Sequence, residues 1–201
     1  MTAAFDRFMR QYKMTGSEKA DGYSRDAFVG LDQQEKEEVF KILLTELPHS
    51  IGWLFFLDAE RALVVAKKNE EQLRGDGYEH VYALQEEIIK HTGDLSYQRR
   101  MIEDYLGYVD YLRPLVVDSI ARTTATMATV NFLKQVILTE TSDDAVSRAA
   151  RKLLTVLKFP RDTENDESHH KRLVSELRSE NTKLKLHAFS QISKYEKNIP
   201  L

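Results

Sequence analysis

The chain has 201 residues, of which 42% are hydrophobic and 30% charged, and its net charge is −3. This balance is that of an ordinary soluble protein, and the length suffices for one domain with a sizeable core. The absence of cysteine excludes disulfides and thiolate metal sites, and the longest apolar run, Ile51–Leu57, is too short to span a bilayer.

Helices dominate the predicted secondary structure, because only four prolines and eight glycines interrupt the chain. At the N-terminus, Phe5, Phe8 and Tyr12 recur at helical spacing and predict a short amphipathic helix. The polar, glycine-flanked stretch from Gly16 to Gly22 predicts a loop. The first residues lack a basic stretch followed by an apolar one, so we expect no signal peptide and a cytoplasmic location.

A helical hairpin is predicted between Gly30 and Lys68. Asp32 is a good N-cap with Glu35 three residues later, which is typical of a capping box, and Pro48 ends this first helix. The second helix is predicted from about Ser50 to Asn69. Because it is apolar on nearly every side, we expect it to be an inner element of the fold, with Trp53 in the core.

Two further helices are predicted between residues 78 and 112. The first runs from Tyr78 to His91 and ends at Gly93. The second is an aromatic helix from Tyr97 to Leu112, in which one line of side chains at helical spacing is expected to face the core. That line consists of Met101, Tyr105, Tyr108 and Leu112. The line next to it consists of Ile102, Leu106 and Val109.

The remainder of the chain also follows helical patterns. A long helix is preferred to a strand over Leu115–Leu138, and Ser142 is a capping signal for the next helix. The very polar stretch from Arg161 to His170 is predicted to be a mobile loop. Two last helices are predicted over Lys171–Glu180 and about Thr182–Lys197.

The predicted fold is therefore all-α, with eight or nine helices paired by short turns in a single domain over residues 1–201. The spacing of the pairs favours stacked antiparallel helical hairpins, and a non-repetitive helical bundle is the alternative.

One segment resembles a known class of protein. The acidic, Leu- and Phe-striped helix after Asp32 and the string Leu57-Asp58-Ala59-Glu60-Arg61-Ala62 look like degenerate HEAT-like repeats, in which such a string opens a repeat helix. Small bacterial proteins of this type are similar to immunity proteins. The resemblance implies a chain that binds a cognate secreted toxin and blocks its active site.

Catalytic chemistry is not indicated by any motif. Glu46 and His49 have Glu-x-x-His spacing, and a helical di-iron site would also require inward-facing glutamates on two other helices. Neighbouring acidic pairs on a helix diverge by about 100° and do not converge on one substrate atom. We therefore expect no enzyme activity, no metal and no cofactor. The alternative is a metabolite-binding protein or enzyme with a pocket between the Trp53 and Tyr105 helices.

Charge is distributed unevenly and points to a protein partner. Asp26–Leu47 carries six acids against two bases, Asp76–Asp110 eight against three, and Ser168–Lys197 three against seven. An acidic main body favours a basic protein partner, such as a toxin domain. It argues against binding of nucleic acid, which only the basic C-terminal helices would favour. Tyrosine is well suited to interfaces, although Tyr108 also fits the core, and Tyr97 and Tyr111 are expected to be exposed. The predicted partner-binding residues are Glu35, Glu38, Tyr97, Asp104, Tyr108, Asp110 and Tyr111.

Overall fold

The secondary structure of the described residues is entirely helical. A computed structural model describes residues 1–15, 22–75 and 78–199, and these ranges contain eleven α-helices, three 3₁₀ helices and no strand. The all-α prediction is confirmed, whereas the described part of the chain already has more helices than the eight or nine expected. Stacking of the hairpins as HEAT-like repeats stays a prediction.

The helices fall into two compact units, an N-terminal unit (Met1–Lys68) and a C-terminal unit (Asn69–Leu201), with the boundary inside one helix. The single domain expected from the sequence stays a prediction. The α-helices are α1 (Ala3–Tyr12), α2 (Gln33–Leu44), α3 (Ile51–Leu57), α4 (Ala59–Gly75), α5 (Val81–Thr92), α6 (Ser96–Asp104), α7 (Arg113–Arg122), α8 (Met127–Thr139), α9 (Asp143–Val156), α10 (Glu164–Arg178) and α11 (Thr182–Ile192). The 3₁₀ helices are Arg25–Ala27, Tyr105–Gly107 and Ser193–Asn198.

In the N-terminal unit, α1 and the start of α2 form as predicted. Asp32 accepts a hydrogen bond from the backbone of Glu35, and the Glu35 side chain accepts one from the backbone of Asp32, so the capping box is confirmed. Helix α2 ends at Leu44, ahead of Pro48, and buries Val39, Phe40 and Leu43. The loop predicted over 16–22 lies outside the described residues, except for Gly22.

The second helix of the predicted hairpin is two helices. Asp58 has an extended backbone and separates α3 from α4, and its carboxylate accepts a hydrogen bond from the Arg61 backbone at 3.1 Å. The carboxylate thus satisfies one of the open N–H groups at the start of α4, which explains why the chain restarts a helix here. Trp53 is half-buried and packs against Phe28.

In the C-terminal unit, the predicted helix of residues 78–91 begins later, at Val81. Tyr78 and His80 both have positive φ angles, a conformation outside the helix, and Gly93 ends α5 in the left-handed region as expected. The turn between Gly75 and Gly77 lies partly outside the described residues.

Two long helices predicted in this unit are interrupted. The helix expected over Tyr97–Leu112 ends at Asp104, continues as one 3₁₀ turn and then leaves helical geometry. The helix expected over Leu115–Leu138 is α7 and α8, separated at Thr123–Thr126. There the Gln98 amide donates hydrogen bonds to Thr123 Oγ1 (2.6 Å) and to the Thr124 carbonyl (2.7 Å), which stabilises the non-helical connection. Pro114 lies in the first turn of α7, where proline is tolerated.

The C-terminal helices follow the prediction except at their first boundary. Ser142 caps α9 as expected, by accepting from the Ala145 backbone. The loop predicted from Arg161 to His170 is helical from Glu164 onward, because Thr163 and Asp166 form a capping box that starts α10. The last two helices are separated by Ser179–Asn181, and the second ends in a 3₁₀ segment.

Candidate functional site

The seven predicted partner-binding residues divide into a buried and an exposed group. Glu35, Tyr97, Asp104 and Tyr108 are buried, whereas Glu38, Asp110 and Tyr111 are exposed. The expectation that Tyr97 is exposed is wrong, because only 8% of it is accessible and the Arg100 guanidinium lies 4.8 Å from its ring centre. The core position of Tyr105 and Tyr108 is confirmed.

The Glu35 side chain accepts hydrogen bonds from the residues that precede two helices, α1 and α2. Its carboxylate accepts hydrogen bonds from the Thr2 backbone (2.6 Å), the Thr2 hydroxyl (2.7 Å) and the Asp32 backbone (3.1 Å). Burial alone would raise the pKa of Glu35, but these hydrogen bonds favour the charged form and leave the pKa below its usual value. The carboxylate is therefore occupied inside the N-terminal unit.

Asp104 belongs to a buried charge network in the C-terminal unit. It forms two hydrogen bonds with the Arg74 guanidinium, at 2.6 and 2.8 Å. Nearby, the fully buried Glu70 accepts from Gln85 (2.8 Å) and Arg100 (2.9 Å). Buried charges need such partners, so the Asp104 carboxylate is engaged by Arg74 within the unit, and its role in partner binding stays a prediction.

Two of the three exposed residues, Asp110 and Tyr111, lie on one surface segment, Tyr105–Leu112. Leu106, Val109 and Tyr111 are 69%, 50% and 76% exposed, and Asp110, which lies between the last two in sequence, is exposed as well. Leu106 and Val109 are absent from the predicted site because the helical pattern places them on an apolar line next to the one expected to face the core. Gly107, which follows Leu106, was the available signal that the helix does not continue.

Arg113 fixes the backbone of this segment. Its guanidinium donates to the carbonyls of Tyr108 (3.1 Å) and Leu106 (3.3 Å), and it also pairs with Asp110 at 3.2 Å. The Val109 carbonyl accepts from the backbone of residue 112 at 2.9 Å, which closes a turn. The exposed side chains are thus presented from a backbone with defined hydrogen bonds.

Gly107 fits closely against Tyr78. A Cβ atom at position 107 would lie 2.5 Å from Cε2 of the Tyr78 ring, closer than real contacts allow. The same ring packs 5.4 Å from the ring of Tyr108. The segment therefore needs glycine at 107 to approach this aromatic pair.

A groove of about 400 Å³ borders the segment. Tyr105, Leu106, Phe132 and Val136 form its apolar wall, and the Tyr105 hydroxyl donates to Glu140 at 2.8 Å. Burial and the neighbouring Glu140 carboxylate raise the pKa of Tyr105, so this hydroxyl stays protonated. Burial would raise the pKa of Glu140 too, but the hydrogen bonds that it accepts lower it overall.

Within residues 1–15, 22–75 and 78–199, no cluster of three or more histidine, aspartate or glutamate side chains is arranged to hold a metal ion. None of the helices in those ranges combines the length and apolar composition needed to cross a bilayer. Comparison of the chain with protein-family models, curated proteins and solved structures gives no match.

Proposed function

We propose that this chain is a protein-binding helical scaffold, in its most concrete form an immunity protein that binds and blocks a cognate bacterial toxin in the cytoplasm. The observation that carries the proposal is the Tyr105–Leu112 segment with its exposed Leu106, Val109 and Tyr111. Adjacent exposed apolar side chains rimmed by charge are typical of interaction sites. Tyrosine is enriched among the residues that dominate binding energy.

The expected partner is a basic protein surface. Glu38, on the N-terminal unit, stays a separate predicted contact. The exposed Glu103 lines the same groove as Leu106, and Asp110 is exposed within the segment. An acidic surface of this kind would attract lysine and arginine side chains and accelerate association. Binding over the active site of a toxin would then exclude its substrate. Stacking of the helices as HEAT-like repeats is part of the same proposal.

The test uses the protein encoded beside this chain's gene as the candidate toxin. We expect the two to copurify and the chain to rescue cells from that protein. Tyr111→Ala and Leu106→Ser should each weaken binding about 30-fold, the loss typical of an interface hot spot. Asp110→Asn should mainly slow association at low salt.

The matched control is Leu184→Ser, which alters an exposed leucine on α11, far along the chain from the segment. It should bind as the wild type does. Unchanged affinity of the Tyr111 and Leu106 variants would exclude this segment as the interface. Absence of both binding and rescue by the wild-type chain would refute the immunity function.

A further inference from the structure

The groove beside the Tyr105–Leu112 segment combines an apolar wall with polar groups. Leu106 contributes an exposed part of the wall, and Phe132 and Val136 contribute buried parts. The volume of about 400 Å³ lies within the range of about 300–1,000 Å³ that is usual for small-molecule sites. The groove is therefore large enough for one long side chain of a partner, whose alkyl part the wall would cover.

The two sides of the groove are joined by internal contacts. The Tyr105 hydroxyl donates to Glu140 Oε2 at 2.8 Å, which connects the 3₁₀ turn with the end of α8. The rings of Tyr105 and Phe132 are nearly perpendicular, with their centres 5.0 Å apart. Glu140 Oε1 accepts from the Thr141 backbone at 2.8 Å. Both sides are thus in place before binding, and little ordering is needed when a side chain enters.

Charged groups at the groove are unequally compensated. The Arg113 guanidinium pairs with Asp110 at 3.2 Å and with Glu140 at 3.5 Å. The Glu140 side chain is also almost fully buried. Glu103, in contrast, is exposed, lines the groove and has no hydrogen-bond or ion-pair partner among the described residues. Its carboxylate is therefore the charge that a partner can reach.

Two basic residues precede Glu103 by about one helical turn on α6, and neither neutralises it. Arg100 is paired with the buried Glu70 at 2.9 Å. Arg99 is exposed and, in the part of the chain that the structure describes, forms no ion pair with Glu103. Exposed pairs at this spacing are weak, because water screens both charges and both side chains lose freedom. A base of the partner that also buries its alkyl part would displace such a pair.

From these contacts we propose that the groove between Glu103, Leu106 and Phe132 receives an arginine side chain of the protein partner, an inference that rests on the proposed function. The methylene groups of the arginine pack on the apolar wall, and its guanidinium donates two parallel hydrogen bonds to the Glu103 carboxylate. Gln135 lines the same groove and supplies an amide oxygen for a further N–H group. Lysine carries a more strongly hydrated charge and no planar pair of donors, so arginine is favoured.

A peptide titration tests the groove without the toxin. The intact, isotope-labelled chain is titrated with a blocked Gly-Arg-Gly peptide and with the corresponding citrulline and lysine peptides, while NMR follows the backbone amides. Citrulline is neutral and has nearly the shape of arginine. We expect saturable shifts at residues 103–107 and 132–140, with the arginine peptide bound at least about ten-fold more tightly than the citrulline peptide.

Three results of this titration would contradict the proposal. Equal affinity for the arginine and citrulline peptides would show that charge is not recognised. Shifts confined to other parts of the chain would place the arginine elsewhere. Equal or higher affinity for the lysine peptide would overturn the assignment of arginine.

Variants separate the contribution of the charge from that of the wall. Glu103→Gln should weaken binding of the arginine peptide about ten-fold, and Leu106→Ser should weaken it because apolar contact is lost. The matched control Glu71→Gln removes an exposed carboxylate of the same unit that does not line the groove, and it should leave binding unchanged. Circular dichroism checks that each variant is folded. A folded Glu103→Gln variant that binds the arginine peptide as the wild type does would refute the assignment.

Binding of the candidate toxin distinguishes this inference from the proposed function. Glu103→Gln should weaken toxin binding about ten-fold. If the wild-type chain binds the toxin and Glu103→Gln leaves the affinity unchanged, the arginine contact is refuted and the proposed function stands. If the wild-type chain binds no toxin, the proposed function is refuted, even where the arginine peptide occupies the groove.

Discussion

Single carboxylates in this protein have internal roles that their place in an acidic run does not indicate. Glu35 belongs to the acidic stretch Asp26–Leu47, yet its carboxylate connects Thr2 with the start of α2. Asp104 similarly belongs to the stretch Asp76–Asp110 and is bound to Arg74. Local net charge therefore overstates the charge available to a partner, since part of it is neutralised within the fold.

His170 makes stability depend on pH. The side chain is 8% exposed, and burial, aided by the nearby positive charge of Arg161, lowers its pKa below the ordinary 6.5, while Glu167 opposes this. The unfolded chain thus binds the proton more strongly, and the free energy of unfolding should fall as pH decreases below about 6.5.

Urea unfolding at pH 7.5 and pH 5.5 measures this effect. We expect His170→Gln to lose part of the decrease in unfolding free energy seen for the wild type. His187→Gln alters a more exposed histidine and should retain it. Identical pH dependence in the wild type and His170→Gln would show that His170 is not the responsible group.

At the scale of elements, the fit of Gly107 against Tyr78 should have a measurable energy. Gly107→Ala places a methyl group 2.5 Å from the Tyr78 ring, and overpacking of this kind costs about 1–3 kcal/mol of unfolding free energy. Chemical denaturation measures the loss.

A double-mutant cycle identifies the cause. Tyr78→Ala removes the ring, so the double variant should be more stable than the sum of the single losses predicts. Strict additivity would mean that the alanine is accommodated in another way.

Side-chain periodicity predicts which side chains are buried better than it predicts where the backbone is helical. Met101, Tyr105, Tyr108 and Leu112 are all buried as expected, although the helix ends at Asp104. A 3₁₀ turn followed by a tight turn keeps nearly the same side chains inward, so the pattern alone cannot locate the helix end. The exposed Leu106 and Val109 could not be predicted for the same reason.

Capping residues predicted where helices begin more reliably than long apolar patterns predicted where helices end. The capping box at Asp32 and the cap at Ser142 each depend on residues within one turn, and both are confirmed. Asp58 also caps a helix, but apolar residues on both sides continue the helical spacing and hide the break. The Arg100 guanidinium, three residues later on the same helix, packs on the ring of the buried Tyr97, and composition does not reveal this contact.

At the scale of the whole molecule, the prediction of a single domain can be tested against the two compact units. Trp53 reports on the N-terminal unit alone, whereas far-UV circular dichroism reports on all helices. A single cooperative domain predicts coincident urea transitions by the two probes. Transitions with separate midpoints would show that the units unfold independently.

The close approach of Gly107 to Tyr78 also has an evolutionary consequence. A substitution that adds a side chain at 107 is tolerated only if the ring at 78 becomes smaller or moves, so the two positions form a linked pair. Neutral drift at either position is restricted by the other. The exposed Leu106 and Tyr111 carry no such packing restriction, so under the proposed function these two positions are free to change as the partner changes.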